Sequence, residues 1–258
     1  MIPEIRRNQI LDYISSKKTV TLREISDKFK ISEVTARRDF NILSNQKSLK
    51  KVYGGVTIID TDISEPILSK RLEENVEEKK RIASEAIKRI SDGDIILIEA
   101  GTTCLELLKL LPLKKNLKVI TAAPHILNAL IDLNRKDLFD GDILCSGGFW
   151  QKDPDDFFAG PQALRFYEGL KIDIAFFGIF AIDFNDGWMS PNMFEVDLTL
   201  KIINNSKKVI GITDHSKFNK TGFSRIGPIT LFDEIITDSV IKKEELNNYR
   251  KIIKITTV

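Results

Sequence analysis

Between residues 31 and 46 the chain reads ISEVTARRDFNILSNQ, and its chemistry-bearing residues fall at helical spacing. At 3.6 residues per turn Ala36, Phe40 and Leu43 share one face, which gives a helix here an apolar back. Val34, Arg38 and Asn41 come round on the far side, flanked by Thr35 and Arg37. Arginine bonds guanine bidentately, asparagine does the same with adenine, and neighbouring cations hold phosphates. A packed back with such a front suits the major groove of DNA. Ser32 stands just before the pattern as an N-cap, its hydroxyl able to accept a bond from a backbone N–H of the first turn. Alone, the pattern also describes an ordinary solvated helix face, so its neighbours decide.

Those neighbours predict a DNA-binding domain. A first helix is expected over residues 3–15, with Ile10, Leu11 and Ile14 as its apolar stripe. TLREISDKF follows, with Thr21 as N-cap and Glu24 three residues on, a capping-box arrangement. Leu22, Ile25 and Phe29 make the inner face of that second helix. A turn at Lys30–Ile31 leads into the arginine-bearing helix, so the pair reads as a helix-turn-helix. After Gln46 the text SLKKVYGGVTII predicts a small β-hairpin, or wing, with Lys50 and Lys51 placed to meet phosphates. Three helices and a wing make a winged helix-turn-helix over residues 1–57. The residues expected at DNA are Thr21, Arg23, Ser32, Glu33, Val34, Thr35, Arg37, Arg38, Asn41, Lys50 and Lys51.

Charge divides the chain in the same way. Residues 1–57 hold 12 Lys+Arg against 6 Asp+Glu, a net of +6, while the other 201 residues hold 27 against 31, a net of −4. A basic small segment joined to a mildly acidic large one points to nucleic acid at one end only. With 42% hydrophobic and 29% charged residues, the 258-residue chain has the composition of a soluble globular protein. Apolar runs such as IILI (95–98) are far too short to cross a membrane, and MIPEIRRNQILDYI has no signal-peptide core. Cys104 and Cys145 have neither a disulfide framework nor metal-ligand spacing around them. A cytoplasmic protein with two ordinary thiols, no metal and no cofactor is expected.

Residues 58–76 read as a polar, acidic linker interrupted by Pro66. From residue 77 to 258 helical and strand patterns alternate. EEKKRIASEAIKRI opens as a helix. Strands are expected at 95–100, 117–121, 142–148, 172–180, 207–214, 233–238 and 251–257, and helices at 105–111, 124–133, 161–170 and 193–206. Such alternation with apolar strands implies a parallel sheet covered by helices on both faces. Ligands then bind in loops beyond the carboxyl ends of the strands.

Several small-residue loops fall there. EAGTTC follows the first strand, where Gly101 allows close backbone approach and Thr102 and Thr103 offer hydroxyls beside a helix start, a cradle suited to an anion. TAAP (121–124) ends the second strand at Thr121, SGG (146–148) ends the third, and DHSKF (214–218) carries Lys217. A tight turn or helix cap explains any one of these. Four on one rim favour a shared site.

SEVTARRDFNIL followed by KKVYGGV resembles the signature of the DeoR family of bacterial sugar-responsive transcription regulators, roughly S-x-x-T-I-R-R-D-L-x-x-L and then R-x-H-G-G. Thr35, Arg37, Arg38, Asp39, Leu43, Gly54 and Gly55 match; Ala36, Phe40, Lys47 and Tyr53 depart from it. The resemblance continues through EKKRIASEAIKRISDGDIILIEAGTT, LCSGG, FAGPQAL, SPN (190–192) and DHSKF. It implies a Rossmann-like sensor domain with the fold of ribose-5-phosphate isomerase and glucosamine-6-phosphate deaminase, one that binds a phosphorylated sugar without converting it. By that resemblance Gly101, Thr102 and Thr103 hold the phosphate, Lys217 assists, Gly147 and Gly148 let the ligand approach the backbone, and Glu99 replaces the family's aspartate one methylene longer.

Other departures bear on the pocket. T-A-A stands for T-N-S, so Ala122 and Ala123 lack an amide and a hydroxyl. Phe180 takes the place of an acid at the expected pocket edge, and Met193 and Phe194 follow SPN where acids are common. Each swap removes hydrogen-bonding capacity, and a buried sugar hydroxyl left unpaired costs about 1–3 kcal/mol. The expected function is a homo-oligomeric regulator, a repressor of a carbohydrate operon, that binds double-stranded operator DNA under the control of a phosphorylated sugar. The alternatives are an isomerase or deaminase on the same fold, against which Phe180 and the isolated His125 and His215 speak, and a constitutive DNA-binding protein with a silent pocket.

Overall fold

The computed structural model describes residues 6–7, 9–10, 13–14, 17, 19–45, 49–52, 55–58, 68–151 and 156–258. The chain forms two compact units, Met1–Thr61 and Asp62–Val258. Leu11, Lys47, Tyr53, Gly54 and residues 59–67 of the expected linker, Pro66 among them, lie outside the described residues.

In the first unit the described residues between 6 and 17 are helical. They are followed by β1 (Thr19–Thr21), α1 (Leu22–Phe29), α2 (Glu33–Asn45), β2 (Leu49–Val52) and β3 (Gly55–Ile58). The capping box forms as expected: Glu24 N donates to Thr21 Oγ1 at 3.2 Å and Thr21 N to Glu24 Oε2 at 2.7 Å. Lys30 ends α1 in the left-handed region (φ 52°), which turns the chain into α2. Ile10, Ile14, Val20, Ile25, Ala36, Phe40, Leu43 and Val56 form the core. The β2–β3 hairpin pairs Lys50 with Thr57 and Lys51 with Val56, and β1 adds to it as a third antiparallel strand.

In the second unit the stretch read as linker is partly helical: α3 (Leu68–Glu73) precedes α4 (Val76–Ala86). Six residues are too few for an apolar period to show in sequence. The main sheet holds β4 (Ile95–Ile98), β5 (Lys118–Thr121) and β6 (Asp142–Cys145). Between them lie α5 (Thr102–Leu108) and α6 (Pro124–Arg135). Next come the hairpin β7 (Phe149–Gln151) and β8 (Phe157–Ala159), then α7 (Pro161–Phe166) and β9 (Ile172–Gly178). The chain continues through β10 (Ala181–Asp183), β11 (Gly187–Ser190), α8 (Met193–Asn204), β12 (Ser206–Ile212), β13 (Ser224–Gly227), β14 (Glu234–Thr237), α9 (Lys243–Arg250) and β15 (Lys254–Thr257).

The seven strands run parallel in the order β15-β14-β12-β9-β4-β5-β6. The unit is therefore a parallel-sheet, Rossmann-like α/β domain, with one apolar core on each face of the sheet. The chain winds outward from β4 to one edge and from β9 to the other, which makes the β4/β9 junction a topological switch point where a crevice opens. Two small antiparallel assemblies, β7–β8 and β10-β11-β13, lie outside the main sheet. They were not legible in the alternating pattern.

Candidate functional site

The exposed front of α2 matches its periodicity. Ala36, Phe40 and Leu43 are buried, whereas Glu33, Val34, Arg37, Arg38 and Asn41 are exposed, Val34 at 79%. Ser32 Oγ accepts from Thr35 N at 3.2 Å and lies 2.9 Å from Thr35 Oγ1, so both hydroxyls help to start the helix. Thr21 likewise spends its hydroxyl on the cap of α1, and Arg23 is exposed on the first turn of that helix. Asp39, between the exposed arginine pair and the apolar back, is buried and bonded by Arg6 Nε at 2.7 Å. It therefore ties the first helical stretch to α2 and leaves the front of α2 basic. Lys50 and Lys51 fall on β2, as expected of a wing.

In the second unit a pocket opens at the β4/β9 switch point. Gly101, Thr102 and Thr103 from the loop after β4 line it, together with Gly178 and Phe180 from the end of β9, and Asp214, Ser216 and Lys217 from the loop after β12. Two glycines let the first two loops meet: a Cβ on Gly178 would sit 2.3 Å from Ala100 O, and one on Gly101 3.3 Å from Gly178 Cα. Gly101 also holds φ at 131°, which disfavours any side chain there.

Of the cations in the wall, Lys217 is expected from the sequence and Arg71 and Lys79 are not. Arg71 from α3 and Lys79 from α4 line the pocket together with the Gly101–Thr103 loop and are only 5% and 4% exposed. Lys79 Nζ donates to the carbonyls of Arg71 and Glu74, each at 2.5 Å. Burial lowers its pKa, with Asp214 opposing that shift and Lys217 adding to it. Lys217 Nζ stands 5.8 Å over the Phe180 ring, a cation–π contact. The carboxylates of the wall are engaged. Asp214 Oδ1 accepts from Asn75 Nδ2 at 3.0 Å and from Ser216 N at 2.9 Å, Glu195 meets Ser190 Oγ, and Glu74 lies 3.8 Å from Lys70 Nζ. Buried cations beside two threonine hydroxyls and a glycine-rich backbone form a seat for an anionic ligand that also carries hydroxyls.

Some expected site residues do not reach this wall. Thr121 is buried, its Oγ1 accepting from Ala123 N at 3.0 Å. Glu99 is buried and does not line the pocket. Its Oε1 accepts from Ala122 N at 3.1 Å, and burial raises its pKa to about 8, against the Ala122 bond and with the help of the nearby Glu195 charge. Gly147 and Gly148 are also off the wall, and Gly148 is needed instead where β7 meets β8, since a Cβ there would stand 2.6 Å from Ala159 O. Ala122 and Ala123 are buried, and Met193 and Phe194 point to solvent. Of the departures expected to rebuild the pocket, only Phe180 stands in its wall. His215 is not isolated: its Nδ1 lies 3.1 Å from Asp238 Oδ2. His125, in the first turn of α6, accepts from Gly101 N at 3.3 Å through Nε2.

Comparison with known proteins decides what these two units are. Residues 6–62 match the model of a DeoR-like helix-turn-helix domain, and residues 74–239 that of a DeoR C-terminal sensor domain. This chain belongs to the DeoR family of transcription regulators. The regulator is 30% identical over 259 residues to the uncharacterised HTH-type transcriptional regulator YulB of Bacillus subtilis, spanning 100% of this chain and 98% of that protein. It is 28% identical over 234 residues to the glycerol-3-phosphate regulon repressor of Escherichia coli K12, at 91% and 90% coverage. Among solved structures, a ribose-5-phosphate isomerase bound to phospho-erythronic acid aligns with a TM-score of 0.41 at 18% identity, covering 55% of this chain and 54% of that one. The DeoR-family regulator is a DNA-binding protein, not an enzyme, and the front of α2 is its candidate reading surface. Among the described residues no helix is long and apolar enough to cross a membrane, and no cluster of His, Cys, Asp and Glu could hold a metal ion.

Proposed function

We propose that this regulator represses a carbohydrate operon from the cytoplasm as a homo-oligomer, and that a phosphorylated sugar or related small polyol phosphate sets its operator affinity. The pocket wall carries this reading. Arg71, Lys79 and Lys217 surround the Gly101–Thr103 loop, two of the three cations deeply buried, in a cleft whose neighbouring polar groups suit ligand hydroxyls. A dianionic phosphate repays the burial of those cations in a way that a neutral sugar does not. The name of the glycerol-3-phosphate regulon repressor, a relative over nine-tenths of the chain, supports a small phosphorylated effector. Paired winged domains on repeated or palindromic half-sites supply the affinity that one small domain lacks. Arg37, Arg38 and Asn41 read base edges, while Thr21, Arg23, Ser32, Glu33, Thr35, Lys50 and Lys51 surround the backbone contact.

A thermal-shift panel of sugar phosphates against the matching free sugars tests the effector class. Ligand at 100 times its Kd stabilises the sensor by about 2.7 kcal/mol. A shift with a phosphorylated compound and none with its free sugar is the expected result. A shift with free sugars alone overturns the phosphate reading, and no shift across the panel favours the silent pocket.

A further inference from the structure

The second unit leaves an apolar surface uncovered. Phe149, Trp150, Phe194 and Phe223 are four of the five exposed aromatic residues among those described, and with Met193 they are 56–67% exposed. They stand on or beside elements that touch one another, since β7 pairs with β8 and α8 packs against both β8 and β13. The β7–β8 register sets Trp150 directly opposite Phe158, so the two side chains leave the hairpin on one face. That face looks outward, because Phe157 and Ala159, at the alternate positions of β8, are the ones in the core. Phe149 lies over Gly160, where a Cβ would stand 3.2 Å from the Phe149 Cδ2. Asn192 caps α8 by accepting from Phe194 N at 2.9 Å, which fixes Met193 and Phe194 in the first turn. Gly222 closes on the end of β11, a Cβ there falling 2.8 Å from Ser190 O, and so keeps Phe223 beside the turn into α8.

We propose that two copies of the chain pair through this surface, with Phe149, Trp150, Met193, Phe194 and Phe223 of each forming an isologous, twofold interface. This rests on the reading of the regulator as a homo-oligomer and names the surface that makes it one. A large side chain of this kind buries about 150–250 Å², so the exposed parts of these five leave roughly 600 Å² of apolar surface. Monomers leave patches of about 300–600 Å² at most, and such patches mark interaction sites. A standard interface takes about 800 Å² from each partner, little more than half of it apolar, so the patch is large enough for its apolar core. A second copy is the occupant because the first unit offers no comparable surface. Among its described residues Val34 alone of the large hydrophobics is exposed, and it stands on the reading front of α2. Met193 and Phe194, the departures that face solvent instead of the pocket, put apolar groups where a paired surface is poor in charge. An isologous contact uses one patch twice, so this single surface suffices to pair two chains.

Sedimentation equilibrium of the full-length protein without DNA, over a wide dilution series, tests this. The wild type should sediment as a dimer or a larger assembly. Trp150→Glu and Phe194→Glu each place a charge in the patch and should fall to half the wild-type mass or less. Phe194→Leu, and Leu113→Glu at a 70% exposed hydrophobic elsewhere, should keep the wild-type mass. Acrylamide quenching of tryptophan fluorescence adds a readout that needs no variant. Of the two tryptophans Trp188 is 1% exposed, so quenching reports Trp150, and dilution through dissociation should raise it at least threefold. A wild type that is monomeric at every concentration overturns both this surface and the homo-oligomer reading. An oligomer that both glutamate variants leave at full mass, or whose dissociation leaves the quenching unchanged, overturns this surface and leaves the homo-oligomer reading intact.

Discussion

The side-chain amide of Asn75 donates to Asp214 Oδ1 at 3.0 Å, joining residues 139 positions apart in sequence. That bond fastens the turn between α3 and α4 to the loop that carries Lys217, so the wall of the pocket is assembled from both ends of the second unit. Asn75 also holds a positive φ of 50°, which asparagine tolerates better than most residues. Asn75→Ala loses the bond and strains the backbone; Asn75→Gly loses only the bond. Denaturant unfolding should show a loss of about 1–2 kcal/mol for alanine and less for glycine. Equal losses would mean that the backbone conformation contributes nothing.

A second prediction concerns Glu99 and pH. Its carboxyl titrates near 8 in the folded protein against 4.5 when exposed. A raised pKa means that the folded state holds a proton which the unfolded state releases. Glu99 therefore contributes stability fully below pH 4.5, and that contribution is lost as pH rises through about 8, by about 1.4 kcal/mol per unit of difference. Glu99→Gln keeps the acceptor for Ala122 N and cannot ionise. Between pH 5 and 8.5 the sensor melting temperature should fall more in the wild type than in this variant; parallel curves would show that Glu99 is not titrating there.

A third prediction separates scaffold from readout in the first unit. Asp39 sits within the arginine-bearing motif yet bonds inward to Arg6. Asp39→Ala should destabilise the DNA-binding unit by about 1.5–3 kcal/mol, the usual worth of a hydrogen bond to a charged group. Arg38→Ala should leave melting unchanged and cost about 1–3 kcal/mol of specific DNA binding. If Arg38→Ala melts early while Asp39→Ala does not, the two roles are reversed.

A fourth concerns Val34, which is 79% exposed beside Arg37 and Arg38. An apolar side chain at the start of a reading helix contacts a thymine methyl group. In DNA selected from a random pool by the full-length protein, deoxyuridine in place of one thymine should weaken the wild type several-fold and Val34→Ala little. An equal effect on both proteins would take Val34 out of the reading set.

The first unit was legible because each of its signals is local. The capping box at Thr21 and Glu24 and the apolar back of α2 involve residues within two turns of one another. The alternation of the second unit gave its parallel sheet for the same reason, since buried strands read as apolar runs. What escaped was long-range. Arg71 and Asn75 lie in a stretch whose acidity and Pro66 read as linker, and nothing local shows that α3 folds against the Gly101–Thr103 loop. Lys79 stands among four other charged residues in EEKKR, and nothing local marks it as the one that is buried and bonded to two carbonyls. Ala122 and Ala123 were misplaced for the converse reason. Their loop follows a strand at the correct end of the sheet, but it turns into the core to bond Glu99 and Thr121.

The central claim is that one phosphorylated ligand in the β4/β9 pocket controls DNA affinity. Fluorescence anisotropy of the selected DNA, titrated with full-length protein with and without the sugar phosphate that most raises its melting temperature, tests it directly. The account predicts a Kd changed at least tenfold by that compound, about 1.4 kcal/mol of coupling, and unchanged by its free sugar. The same Kd in all three titrations, with the pocket demonstrably occupied, would contradict it.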